Sequence, residues 1–315
     1  MDRIDSHLHL SGCISPAFVW ETIKANNMTY LASNEQEVIE QMTFLTDEPK
    51  TFTRFLNKFA LVDQLPWSES LIDSAIKDAT SYLVKDSIDY AWVSLSIYKF
   101  MKIGWHKKEA ILHISDCFRR HAGGKVGMVL ALKYESSKAG QRQHASLIED
   151  PDVASVLTGI DLVGDEAYFD SSLYADILKP WLRAGKMVRA HAGETQPVEN
   201  VKHAIDVVGV TNIAHGLRVI DDLDVIKMAK DKDVAFDLSL NSNSYTGVWP
   251  NEAWHPVLSM LDCGLNVTVG SDDPIQFNNS LTKEYERLHK IGVSPSQVET
   301  IRSNGINNVK RFLCV

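Results

Sequence analysis

The stretch RIDSHLH, residues 3–9, decides how this chain folds. It reads as a short strand, and on a strand residues i and i+2 share a face, so His7 and His9 project together toward whatever the strand helps enclose. Two imidazoles at that spacing suit one metal ion, provided that other ligands converge on the same point. Working outward, β-rich runs recur at 90–97, 126–132, 156–162, 187–191, 212–215, 234–238 and 266–270, with amphipathic helical stretches between them. Eight strands alternating with helices predict an α/β fold, a single (β/α)8 TIM-type barrel occupying residues 1–315 as one domain. No linker, low-complexity tract or short repeat divides the chain, and 315 residues suit one such barrel.

Between the first two runs lie about 80 residues, more than a minimal barrel needs. Within them TFTRFLNKFALVDQL (51–65) places Phe52, Phe55, Leu56 and Phe59 at helical spacing. This predicts an amphipathic helix in an insertion at about 45–65, serving either as core packing or as a lid over the catalytic mouth.

Three more elements fall at or just beyond the ends of predicted strands: HAGE (191–194), AHG (214–216) and SDDP (271–274). In a parallel barrel those ends meet on one face, where active sites are built. Histidines plus a carboxylate form a nitrogen and oxygen donor set suited to Zn2+, with water completing the shell. The fourth run has no lysine at its end to bridge two metals, which favours one zinc per chain, although Lys133 near the end of the third run keeps a binuclear site open. Adjacent Asp272 and Asp273 leave the backbone in opposite directions and can divide the work, one on metal and one on substrate. Glu194, just past its strand, can face substrate as a buried, protonated acid. His215 either handles the nucleophilic water or is an ordinary core histidine. His106, His113, His121, His144, His203, His255 and His289 receive no role.

Composition narrows the partners. The chain carries 41 acidic against 32 basic residues, a net charge of -9, with no basic block, which argues against nucleic acid. No apolar run reaches the roughly 18 residues of a membrane span, and a cytoplasmic location is the expectation. Cys13, Cys117, Cys263 and Cys314 form no CxxC pair and read as reduced thiols, Cys13 lying near the histidine pair.

As an ordered set, from His7 to Asp273, these motifs resemble the adenosine deaminase family of the amidohydrolase superfamily. FLNKF (55–59) is similar to the family's lid helix, with Phe55 and Phe59 on the substrate; GIDLVGDE (159–166) to its substrate-binding glycine segment; and SNSYTG (242–247) to its Ser-Asn stretch. The resemblance implies zinc on His7, His9, His191 and Asp272. It further implies Glu194 as proton donor to purine N1, the Gly164 backbone at N3, His215 orienting and deprotonating the water, and Asp273 binding that water and N7. The expected reaction is hydrolytic deamination of a 6-aminopurine, with adenosine or deoxyadenosine first; other amidohydrolase chemistry is the alternative.

The chain departs from the pattern at Ser11, where adenosine-specific members place an aspartate for the ribose 5'-hydroxyl. A short uncharged side chain no longer repels an anionic 5' substituent, so adenine, N6-methyl-AMP and aminodeoxyfutalosine stay beside adenosine. Ser94 and Ser96 replace commonly charged residues, and SLNSN (239–243) replaces the usual Cys-Pro-x-Ser-Asn.

Overall fold

The computed structural model describes residues 3–251 and 253–313; Cys314 lies outside them. Among the described residues, strands β1 (Ile4–His9), β2 (Tyr90–Leu95), β3 (Val126–Lys133), β4 (Leu157–Val163), β5 (Met187–Ala192), β6 (Asn212–His215), β7 (Ala235–Leu238) and β8 (Asn266–Val269) form one sheet in chain order, each parallel to the next. Each coincides with an expected run to within two residues. Parallel neighbours require a crossover, and the helices supply it: Glu69–Lys85 buries Ile72, Ala75, Ile76, Ala79 and Leu83 as an i, i+3, i+4, i+7 stripe along one face.

The ring closes through the residues that follow β8. The Asp272 amide donates to the His7 carbonyl (2.7 Å), and the His9 amide donates to the Asp272 carbonyl (2.9 Å). Below them the Ser271 amide and hydroxyl donate to the Asp5 carboxylate at 3.0 and 2.5 Å. Gly270 makes this approach possible, because a Cβ there would stand 2.3 Å from the His7 backbone nitrogen. The product is a single (β/α)8 barrel, as the sequence predicts.

Ile4, Tyr90, Trp92, Val129, Met187, Val309 and Phe312 plug the N-terminal end. Above that plug lies a polar floor. The buried Arg189 guanidinium donates to Asp161 (2.7 Å), Asp237 (3.4 Å), the Ser94 hydroxyl (3.3 Å) and the Ser6 carbonyl (2.8 Å). Ser94 in turn donates to Asp161, so it is a member of this network, whereas Ser96 is exposed past the strand end.

Five α-helices lie between β1 and β2, from Pro16–Ala25 to Glu69–Lys85. The predicted amphipathic helix is two short pieces, Phe52–Asn57 and Ala60–Asp63, broken where Lys58 turns inward to bond Glu48 (2.8 Å) and the Glu40 carbonyl (3.1 Å). Phe55 is buried on Phe277 (centroids 4.8 Å apart) and against Phe59 (5.3 Å), while Leu56 is exposed. No helix among the described residues is long and apolar enough to cross a membrane.

Replacing Gly270 with alanine forces a methyl into backbone that cannot yield. It should destabilise the fold by about 1–3 kcal/mol, read from the urea midpoint; an unchanged midpoint would show that the seam tolerates a wider gap.

Candidate metal centre and active site

β1 delivers His7 and His9 to one face, and the seam brings Asp272 against them. The two Nε2 atoms lie 3.1 Å apart, and Asp272 Oδ1 stands 3.4 Å from His9 Nε2 and 3.7 Å from His7 Nε2. His191, near the end of β5, places its ring 4.9 Å from that of His7 and 5.5 Å from that of His9. His191 Nε2 is buried without a hydrogen-bond partner. Zinc–ligand bonds of about 2.0–2.1 Å in tetrahedral array put ligand atoms about 3.3 Å apart, so the spacing suits one ion.

Protonation states fit as well. Burial pushes His7 well below its ordinary range and His9 down to about 4, leaving both rings neutral with free lone pairs. Of the two adjacent acids, burial and the neighbouring Asp272 charge raise Asp273. Burial alone would raise Asp272 too, but the charge that His215 and His9 carry when protonated opposes it, so of the two adjacent acids Asp272 ionises first.

Asp161 is a residue that the sequence reading missed. Its Oδ1 lies 3.6 Å from His191 Nε2 and has no hydrogen-bond partner, so it also borders the ion position. Donor atoms of His7, His9, His191 and Asp161 lie within 4.8 Å of one another, whereas Asp272 groups with His9 and Asp273; Arg189 already compensates the Asp161 charge. The signal was alternation: in GIDLVGDE, Asp161 points inward from β4.

A second missed residue, Glu166, builds the acid site. Its carboxylate accepts from the amides of Gly193 (2.7 Å), Glu194 (2.8 Å) and Thr195 (2.9 Å), fixing the turn that presents Glu194. Burial, then the charges of Glu166 and Asp272, raise Glu194 well above the usual carboxylate range. Glu194 Oε2 stands 3.7 Å from His215 Nε2. Burial also pushes His215 down to about 3. His215 and Asp272 both hold φ near 63°, a left-handed conformation that costs a non-glycine residue on the order of 1–2 kcal/mol, and such strain gathers at functional sites.

Ser11 and Gly12 lie in the turn Leu10–Cys13 directly after His9. Gly12 lies against Asp273, where a Cβ would meet Oδ1 at 2.1 Å, and the Ser11 hydroxyl bonds no described residue. Asp273 Oδ1 is buried and unpartnered. The Cys13 thiol donates to the His9 carbonyl (3.4 Å), and burial keeps it protonated, so it is a prop and not a ligand. Gly164 ends β4 beside Glu135, on the loop that carries Glu166. Phe55 stacks on Phe277, four residues past Asp273, and carries Phe59 on its other side. Lys133, at the end of β3, is exposed.

Barrel and site together define a metal-dependent aminohydrolase. The sequence model described as adenosine deaminase matches residues 3–310, and the chain belongs to the adenosine deaminase family. It is 22% identical to an adenosine deaminase of Clostridium botulinum (strain 657 / Type Ba4), over 97% of this chain and 93% of that one. Its fold is that of an adenine deaminase from Arthrobacter aurescens (TM-score 0.83, 22% identity, covering 98% and 95% of the two chains). The fold also matches an Arabidopsis N6-mAMP deaminase (TM-score 0.82, 16% identity, 98% and 92%).

The buried rings imply an acid limb of stability. His9 (about 4) and His215 (about 3) refuse protons that the unfolded chain accepts near 6.5. Their contribution is therefore present above pH 6.5 and lost as pH falls from about 6.5 toward 3–4. The urea midpoint of metal-free protein should decline across that window, and His9→Gln should shallow the slope; a flat midpoint would contradict neutral burial.

Proposed function

We propose that this chain hydrolytically removes the 6-amino group of an adenine-containing compound, with one zinc ion held by His7, His9, His191 and Asp272. The observation that carries the reading is Glu194: a buried acid, raised well above the carboxylate range, fixed by Glu166 next to the histidine cluster. Attack on an adenine ring needs a proton donor at this place to activate C6, a need that lactone or phosphoester hydrolysis does not have. When bound, zinc supplies Lewis acidity at the position of the attacking water.

The residues then divide the work. Glu194 gives its proton to purine N1, which drains electron density from C6 and opens that carbon to addition. His215 holds the attacking water on one side, and Asp273, kept protonated by burial and by Asp272, donates to N7 while its other oxygen holds the water. The Gly164 backbone meets N3. As water adds to C6, one of its protons passes by way of the Glu194 carboxylate to the 6-amino group, which leaves as ammonia, and the second restores Glu194 as the carbon closes to a carbonyl; Phe55 and Phe59, packed on Phe277, are assigned to cover the mouth.

Adenosine or deoxyadenosine is the substrate that we put first, in keeping with the curated relative's name. A second reading, a 5'-modified adenine nucleoside or nucleotide, is favoured by Ser11, whose short free hydroxyl stands where an acid would repel a phosphate. The Arabidopsis neighbour acts on N6-mAMP and the Arthrobacter one on adenine, so both belong in the assay.

Ammonia release measured across adenine, adenosine, deoxyadenosine, AMP, N6-methyl-AMP and aminodeoxyfutalosine tests the class. Glu194→Gln should lower kcat by about 10²–10⁴-fold on the best of them, with metal content intact. Full activity in that variant would move the chain to another hydrolytic chemistry. Ser11→Asp should shift preference toward adenosine; an unchanged profile would remove the role given to Ser11.

A further inference from the structure

His215 poses a problem of exclusion. Its ring lies 5.2 Å from those of both His7 and His191, as close as the proposed ligands lie to one another, and it is buried. Something in the fold must keep its lone pair from the ion.

Hydrogen-bond directions behind the ring supply the answer. The Val257 amide donates to His255 Nδ1 at 3.2 Å, so that nitrogen carries a lone pair and the hydrogen of the neutral ring sits on Nε2. His255 Nε2 faces Asn243 Oδ1 at 3.4 Å, and Asn243 Nδ2 faces His215 Nδ1 at 3.0 Å. Turning the amide over would set its NH2 against His255 Nε2 and require that ring to carry no hydrogen at all, an imidazolate. The amide orientation is therefore fixed: Asn243 accepts from His255 and donates to His215 Nδ1. His215 must then bear its hydrogen on Nε2, the atom that faces Glu194 Oε2 (3.7 Å) and Asp272 Oδ2 (3.9 Å), two acceptors.

We infer that Val257, His255 and Asn243 form a tautomer lock, with Asn243 and His255 as positioning residues that present His215 to the site as an Nε2–H donor. The lock has two effects, the second resting on the deamination reading. An Nε2–H has no lone pair for a metal, so His215 stays outside the ligand shell although it stands among ligands. As a donor it holds the oxygen of the attacking water by hydrogen bonding, and while neutral it cannot take that water's proton. This replaces the orienting and deprotonating role expected from the sequence with orientation alone. The surroundings of His255 keep it neutral: burial first, then the Arg287 charge and His215, take it down to about 3, and Trp249 packs 6.4 Å from its ring.

Nitrogen-15 NMR of histidine side chains in the intact protein, with and without zinc, reads the tautomers directly. Both His215 and His255 should be protonated at Nε2 and bare at Nδ1; a hydrogen on His215 Nδ1 overturns the lock whatever the substrate proves to be. Asn243→Asp presents only acceptors and should draw the hydrogen to His215 Nδ1. Its kcat should fall on the order of 10²–10⁴-fold with KM near the native value and an altered pH profile. His255→Ala should lose about tenfold in kcat, and His255→Gln, which still offers an N–H to Asn243, should recover most of it. Native kcat and pH profile in Asn243→Asp would also overturn the inference. Should that variant not fold, the spectrum of the native protein decides alone. Should no substrate be found, the spectrum still stands, so failure of the deamination reading and failure of the lock are told apart.

Discussion

Two backbone hydrogen bonds between the first strand and the residues after the last, Asp272 to His7 and His9 to Asp272, are the constraint on which the rest of the molecule depends. They close the barrel, and they also set a carboxylate beside two imidazoles drawn from the far end of the sequence. Fold and chemistry are therefore not separable here. A register slip of one residue along β1 would turn both histidines outward and leave the ring without its seam. Gly270, which permits the contact, and the left-handed Asp272, which turns the carboxylate inward, are consequences of that single closure.

Burial does the second part of the work. Sealed beneath the mouth, His7, His9 and His215 are neutral at physiological pH, Glu194 and Asp273 hold protons, and Asp272 keeps the charge. One low-dielectric environment thus supplies lone pairs, a proton donor and an anion within a few ångströms. The Arg189 network underneath anchors this arrangement: it holds one oxygen of Asp161 so that the other faces the histidines without adding uncompensated charge.

Much of this is written plainly in the sequence. Eight β-rich runs alternating with helices specify the barrel, and HLH, HAGE, AHG and SDDP specify the cluster, because strand ends of a parallel barrel share one face. What the sequence hides are residues that act through hydrogen-bond direction across loops. Glu166 looks like a surface acid after a Gly-Asp turn until its carboxylate is found capping the amides of 193–195. His255 sits before a proline in a loop with nothing to distinguish it, and only folding brings it behind Asn243. The aromatic stripe at 52–59 reads as one helix because spacing cannot reveal that Lys58 turns inward to Glu48 and breaks it.

We propose that the seam-built cluster holds a metal ion beside an acid that activates C6 of an adenine compound toward water. Mass spectrometry of zinc-loaded protein incubated with adenine compounds in oxygen-18 water tests it most directly. The expected product has the 6-amino group replaced by one heavy oxygen and forms only with the metal present. Protein carrying one zinc per chain that leaves every adenine compound unlabelled would contradict it.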